Sequence, residues 1–178
     1  MYFDSGDVKK NQAMSAHVFV DETKSRGLLL TAAVVLSGDL RVARREMRGL
    51  VMHGQRRLHF TKEQDSRRKA ILDTIESLRP QVLIYDGSRH RHHRQRGECL
   101  RALMVDLAAN NVERLVLELD ESVIALDERV LYEQKRLLGC TDLRFEHLRA
   151  HSEPLLAIPE RSHGVGSVAG TGRHGSTR

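Results

Sequence analysis

Asp21 and Glu22 close an apolar run, His17-Val18-Phe19-Val20, and Glu118 and Asp120 close a second one much later in the chain. Carboxylates at the end of a buried strand are costly unless something pairs with them. A divalent cation is such a partner, and Asp and Glu oxygens are hard ligands that suit Mg²⁺ or Mn²⁺. Carboxylates converging from distant strands on such cations can clamp the attacking and leaving oxygens of a phosphodiester. The expected metal ligands are Asp21, Glu118 and Asp120. Strand alternation puts Asp21 with Phe19 and His17, and Glu22 with Val18 and Val20 on the other face; Glu118 and Asp120 share a face. If the two strands lie side by side in parallel, their ends meet at the carboxyl edge of the sheet, where α/β folds place ligands. Acids at strand ends also serve as ordinary turn and cap residues, and that reading stands beside the metal site.

The cations are unevenly spread. Arg41 to Lys69 holds ten Lys/Arg, including Arg56 and Arg57, against three Asp/Glu; Glu98 to Glu160 holds seven against thirteen. The split fits a basic surface for a polyanion beside an acidic pocket. The densest run is Ser88-Arg89-His90-Arg91-His92-His93-Arg94-Gln95-Arg96. Arg89, Arg91, Arg94 and Arg96 are candidate phosphate-backbone contacts, salt-sensitive and indifferent to base sequence. A solvated loop, or adventitious metal binding by its histidines, fits the same residues. Lys62, beside His59 and Glu63, is a candidate for stabilising a phosphoryl oxygen, or an exposed first-turn lysine.

These residues need elements to carry them. A strand over 17–22 and another over 28–36 flank Gly27, which predicts a hairpin. Asp39 can cap a helix over 40–51. Leu58-His59-Phe60 reads as a short strand, and Thr61 with Gln64 as a capping box for a helix ending at Arg79-Pro80. A strand follows over 81–86, then a loop over 87–97. Cys99-Leu100, Leu103-Met104 and Leu107 predict a helix. The strand 112–120 comes next, then a helix from a Ser122 cap to Leu138, stopped by Gly139. A strand over 143–148 and a helix starting over 153–159 complete an α/β layered domain.

The chain has 178 residues, a net charge of +5 and 40% hydrophobic residues. It is long enough for one domain with a real core. No apolar run approaches 18 residues, and the start lacks a secretory pattern, so a cytoplasmic protein without membrane contact is expected. Cys99 and Cys140 make neither a disulfide framework nor a zinc site. There is no glycine-rich phosphate loop and no Gly-x-Ser-x-Gly elbow. Four Phe, three Tyr and no Trp argue against base stacking as the main binding mode.

Val20-Asp21-Glu22-Thr23 with its hairpin, Leu58-His59-Phe60-Thr61-Lys62-Glu63, Glu118-Leu119-Asp120-Glu121-Ser122 and Glu153-Pro154-Leu155-Leu156 together resemble bacterial proteins of the domain-of-unknown-function 3800 family, which is similar to the ribonuclease H-like superfamily. The resemblance covers about residues 14–160. It implies a ribonuclease H-like mixed sheet flanked by helices and a Mg²⁺-dependent nuclease acting on RNA or DNA. By the same resemblance Asp21, then Glu118 or Asp120, then Glu160 hold the metal. The chain departs from the family after Pro159: the family continues with Asp into a tryptophan-bearing helix, whereas this chain has Glu160 and a glycine-rich stretch. With suitable codons, one restored base after the first two of codon 160 reads Asp-Ala-Val-Ala-Trp-Cys-Trp-Gln-Arg-Gly-Gly-Asp-Trp, the family's ending. The expectation is a disordered extension over 1–13, a ribonuclease H-like domain over 14–160, and a disordered, out-of-frame tail over 161–178. The last helix would then be lost, and such an aberrant C-terminus could inactivate the enzyme. The other class of function is a non-catalytic module that binds nucleic acid or protein through the 41–69 surface and the 88–96 loop.

Overall fold

Every other residue of the first strand faces a different core. In the computed structural model, which describes residues 15–24, 27–110 and 112–161, strand β1 (Ala16–Thr23) buries Val18 and Val20 on one side and Phe19 on the other. A strand buried on both faces belongs in the middle of a sheet. β1 pairs antiparallel with β2 (Leu29–Leu36) and parallel with β4 (Val112–Glu118). β3 (Gln81–Asp86) adds antiparallel to β2, and β5 (Arg144–Leu148) adds parallel to β4. The sheet order is β3-β2-β1-β4-β5.

Two helices cover one face. α3 (His92–Ala109) contributes Leu100, Leu103, Met104 and Leu107, and α4 (Ile124–Leu138) contributes Val130 and Leu131, all against Val18, Val20, Leu115 and Leu117. The other face is covered by α1 (Leu40–Gly49), α2 (Asp65–Leu78) and the short α5 (Ala157–Arg161). Met47, Ile71, Leu155 and Ile158 pack there against Phe19 and Val116. α2 ends where Arg79 adopts φ +47° ahead of Pro80, and α4 ends at Gly139 with φ +69°. Both are left-handed stops. Among the described residues no helix is long and apolar enough to cross a membrane.

Three local expectations are corrected. No strand forms over Leu58–Phe60; a 3-10 turn spans Phe60–Lys62 instead. Thr61 lies inside that turn, α2 starts only at Asp65, and its capping residue Gln64 makes no side-chain cap bond. The segment 87–97 is not all loop, because α3 begins at His92. Its polar composition hid the helix, yet Gln95, Arg96 and Gly97 are buried: packing against the β1–β2 hairpin overrides local preference. The leading residues 1–14 and the tail 162–178, with the expected disorder, loss of a last helix and frame change, lie outside the described residues.

Gly87 is where β3, α3 and the hairpin meet. Its amide donates to the Leu28 carbonyl at 2.8 Å, and Gln95 Oε1 accepts from the Leu28 amide at 3.2 Å. A Cβ at Gly87 would stand 2.9 Å from Gln95 Cβ and 3.2 Å from Cys99 Sγ. We therefore expect Gly87→Ala to lower stability by about 1–3 kcal/mol, as overpacking does. Urea unfolding checks this; a midpoint equal to that of the parent chain would show that the junction yields freely.

Candidate active site

The register of β1 on β4 pairs Phe19 with Val116 and Val20 with Leu117. One further step sets Asp21 beside Glu118, on the face shared with Phe19 and Val116. There the two carboxyl groups meet at hydrogen-bond distance. Burial, then the charge and hydrogen bond of Glu118, push Asp21 up to about 7; Glu160 adds to this, while a backbone hydrogen bond at Glu22 opposes it.

Glu160 comes to the group on α5. The 3-10 turn Pro154–Leu156 that leads into that helix is held by a partly buried ion pair: Arg44 of α1 donates to Glu153 Oε2 at 2.8 Å and 3.0 Å, and Glu153 Oε1 accepts from the Leu155 amide at 3.3 Å. Pro154 at the first turn suits the helical entry. Glu160 is also raised above the usual carboxylate range, first by burial and then by Glu118, against Arg57 and a backbone hydrogen bond at Phe60.

A guanidinium sits among these acids. Arg57 donates from Nη1 to Glu118 Oε1 at 2.7 Å and from Nε to His59 Nε2 at 3.2 Å. To accept that bond His59 must be neutral at Nε2. Its pKa is lowered, by burial first and then by Arg57 and Lys62, which fits. The loop carrying Arg57 is tied down through Gln55, which donates to the buried Glu63 at 3.2 Å. Lys62 is exposed on the 3-10 turn. Sequence patterns place Arg57 as a surface cation and give His59 no role of its own. Their bond to each other and to Glu118 depends on the path of the 51–59 loop, which no periodicity encodes.

The structure does not bring Asp120 into this group. After Glu118 the chain leaves strand geometry, so alternation stops predicting its direction. Asp120 Oδ1 accepts from the Ser122 amide at 3.0 Å and from Ser122 Oγ at 2.6 Å, and Oδ2 lies 3.9 Å from Lys24 Nζ. It is an exposed turn carboxylate on the lip of an open cavity of about 500 Å³, which Asp21, Glu118 and Arg149 also line. Ser122 is thus the partner in a turn rather than the helix cap; Val123 stands at the cap position.

Arg96 is the clearest correction among the candidate phosphate contacts. Only 7% of it is exposed. It donates from Nε to Asp127 Oδ1 at 2.6 Å and from Nη2 to Oδ2 at 2.7 Å, and from Nη1 to Glu22. His147 Nε2 lies 2.9 Å from Asp127 Oδ2. A guanidinium 7% exposed, with three of its five N–H donors committed to Asp127 and Glu22, is a structural cation rather than a free surface contact for phosphate. Asp127 and His147 carry no signal in the sequence, being on different elements with no motif to join them. Arg89, Arg91 and Arg94 are exposed, and so is Arg56. Because β3 runs parallel to β1 through two antiparallel steps, Arg89, Arg91 and Arg94 follow a strand end at the same edge as Asp21.

The architecture has a counterpart among solved structures. The PCNA:RNase HII complex from Archaeoglobus fulgidus contains a chain that superposes with a TM-score of 0.53 at 18% identity, over 83% of this chain and 70% of that one. The fold is ribonuclease H-like. No protein-family model matches the chain, and no significant match arises among curated proteins.

The donor set suits a hard divalent cation. Asp21, Glu118 and Glu160 offer oxygen ligands only, and a cation would offset both the burial and the Glu118 charge that lift Asp21 to about 7. Among the described residues no three His, Cys, Asp or Glu side chains surround a common metal-sized point. A cation held by all three carboxylates would require their side chains to close up around it; Arg57 meanwhile engages only Oε1 of Glu118.

Proposed function

We propose that this chain is a metal-dependent nuclease whose ligands for Mg²⁺ or Mn²⁺ are Asp21, Glu118 and Glu160. One observation carries the reading: Asp21 of β1 and Glu118 of β4 stand together at one sheet edge of a ribonuclease H-like fold, Asp21 is pushed up to about 7, and the charge of Glu160 on α5 reaches both. Such a metal would polarise a phosphoryl oxygen and supply a nucleophile from water. The protein's own residues hold and orient. Arg57, half-buried beside Glu118, is placed to pass from that carboxylate to a phosphoryl oxygen. Arg89, Arg91 and Arg94 would track the backbone of RNA or DNA along the same edge, and Lys62 would add charge near His59. Asp120 is left to the turn it closes. Membership of the domain-of-unknown-function 3800 family rests on the short motifs that contain Asp21, Lys62, Glu118 and Glu153.

Labelled RNA, DNA and hybrid duplex, each with Mg²⁺ or with EDTA, separate cutting from retention. We expect cleavage that EDTA stops. Retention without cleavage in either condition would leave the binding-module reading in its place. Reversing Arg89, Arg91 and Arg94 to Glu should weaken binding alike on all sequences and flatten its salt dependence by roughly one unit of slope for each phosphate no longer neutralised. An unchanged slope would exclude that loop from the interface.

A further inference from the structure

Behind the carboxylate group, on the far side of Arg57 and Glu160, lies a second cavity of about 210 Å³. It opens between the end of α1, the 51–58 loop and the 150–160 segment. Its floor is apolar: Met47 and Leu58 are buried, and Val51 and Ala157 are half-buried. Its rim is basic: the guanidinium groups of Arg48 and Arg56 are exposed there, and His151 is exposed beside them. An apolar floor beside two exposed guanidinium groups asks for a ligand with one flat apolar part and one anionic part. The volume lies below the roughly 300 Å³ of ordinary small-molecule sites, so it admits one such unit and not an extended cofactor. Arg57 and Glu160 belong to this cavity and to the carboxylate group alike, so an occupant would sit one step from the reacting centre.

We propose that this cavity seats the nucleotide adjoining the scissile phosphodiester. Its phosphate would pair with Arg48 and Arg56, and its base would lie on the half-buried Val51, Pro154 and Ala157. Arginine forks match phosphate oxygens, and the half-buried apolar side chains offer contact area to a ring. The inference deepens the nuclease reading and rests on it for the name of the occupant, while its test needs no catalysis.

The full chain in EDTA is titrated with a nucleoside 5′-monophosphate, with ribose 5-phosphate and with the bare nucleoside, by calorimetry. We expect the monophosphate to bind about tenfold or more tighter than either fragment. Arg48→Glu and Arg56→Glu should each weaken it about tenfold, the scale of one charge-assisted hydrogen bond, whereas Arg45→Glu, on an exposed turn of the same helix, should not. Equal affinity for ribose 5-phosphate would overturn the apolar seat. Indifference to Arg48→Glu and Arg56→Glu would overturn the location, and absence of binding by all three probes would overturn the proposal. The nuclease reading is judged separately by Mg²⁺-dependent cleavage, so either claim can fall while the other stands.

Discussion

Asp21→Asn should abolish cleavage and, in the absence of metal, make the protein more stable. The first effect follows from removing the proposed anionic ligand beside Glu118; we expect a loss of at least about two orders of magnitude, the scale for removing one preorganised electrostatic contact. The second follows from linkage. Asp21 ordinarily titrates at 3.8 and is pushed to about 7 in the fold. Between those values the folded chain holds a proton that the unfolded chain releases, so stability falls as pH rises from about 4 to about 7 and then levels. An amide never ionises and escapes this penalty. At pH 8 in EDTA the variant should gain on the order of 4 kcal/mol, and its advantage should vanish near pH 4. Added Mg²⁺ should reverse the order, because the metal stabilises only the chain that binds it. Urea titrations of both proteins across pH, with and without Mg²⁺, test all of this. Equal stability at every pH would mean that Asp21 is not crowded by Glu118. Equal cleavage would remove the nuclease assignment.

That crowding is half legible in the sequence. Alternation along His17–Asp21 and Leu115–Glu118, together with a parallel pairing, is enough to put Asp21 and Glu118 on one face at one edge. The same rule misplaces Asp120, because it holds only while the backbone stays extended, and here β4 ends at Glu118. Glu160 comes from resemblance alone. Its arrival depends on α5 being pinned through the Arg44–Glu153 pair, a contact between residues far apart in the chain. Arg96 is misread for a related reason: its neighbours in sequence are exposed cations, but its neighbours in space are Glu22 and Asp127. Burial of α3 decides that, and composition does not reveal which face of a basic segment turns inward.

The Arg96–Asp127 pair gives the second large expected effect. Asp127 is fully buried, and it is the hinge of a chain of charges that runs from His147 through Arg96 to Glu22. Burial alone would push its pKa up, but the hydrogen bonds and charges of Arg96 and His147 hold it below the usual carboxylate range. The stabilisation is complete above the ordinary value of 3.8 and is lost as pH falls through the depressed folded value. Asp127→Ala leaves a guanidinium with 7% exposure facing only Glu22. Breaking one side of a buried pair costs about 3–5 kcal/mol, which for a chain of this size lowers the melting temperature by roughly 10 °C. Replacing both partners, as in Arg96→Met with Asp127→Leu, removes the stranded charge and should recover most of that loss. Cleavage should not recover with it, because Glu22 is the residue after Asp21 and would no longer have the guanidinium that fixes the end of β1. A double variant with full stability and full activity would show the network to be packing alone; full stability with weak cleavage would show that these charges, on the face opposite the acids, set where Asp21 stands.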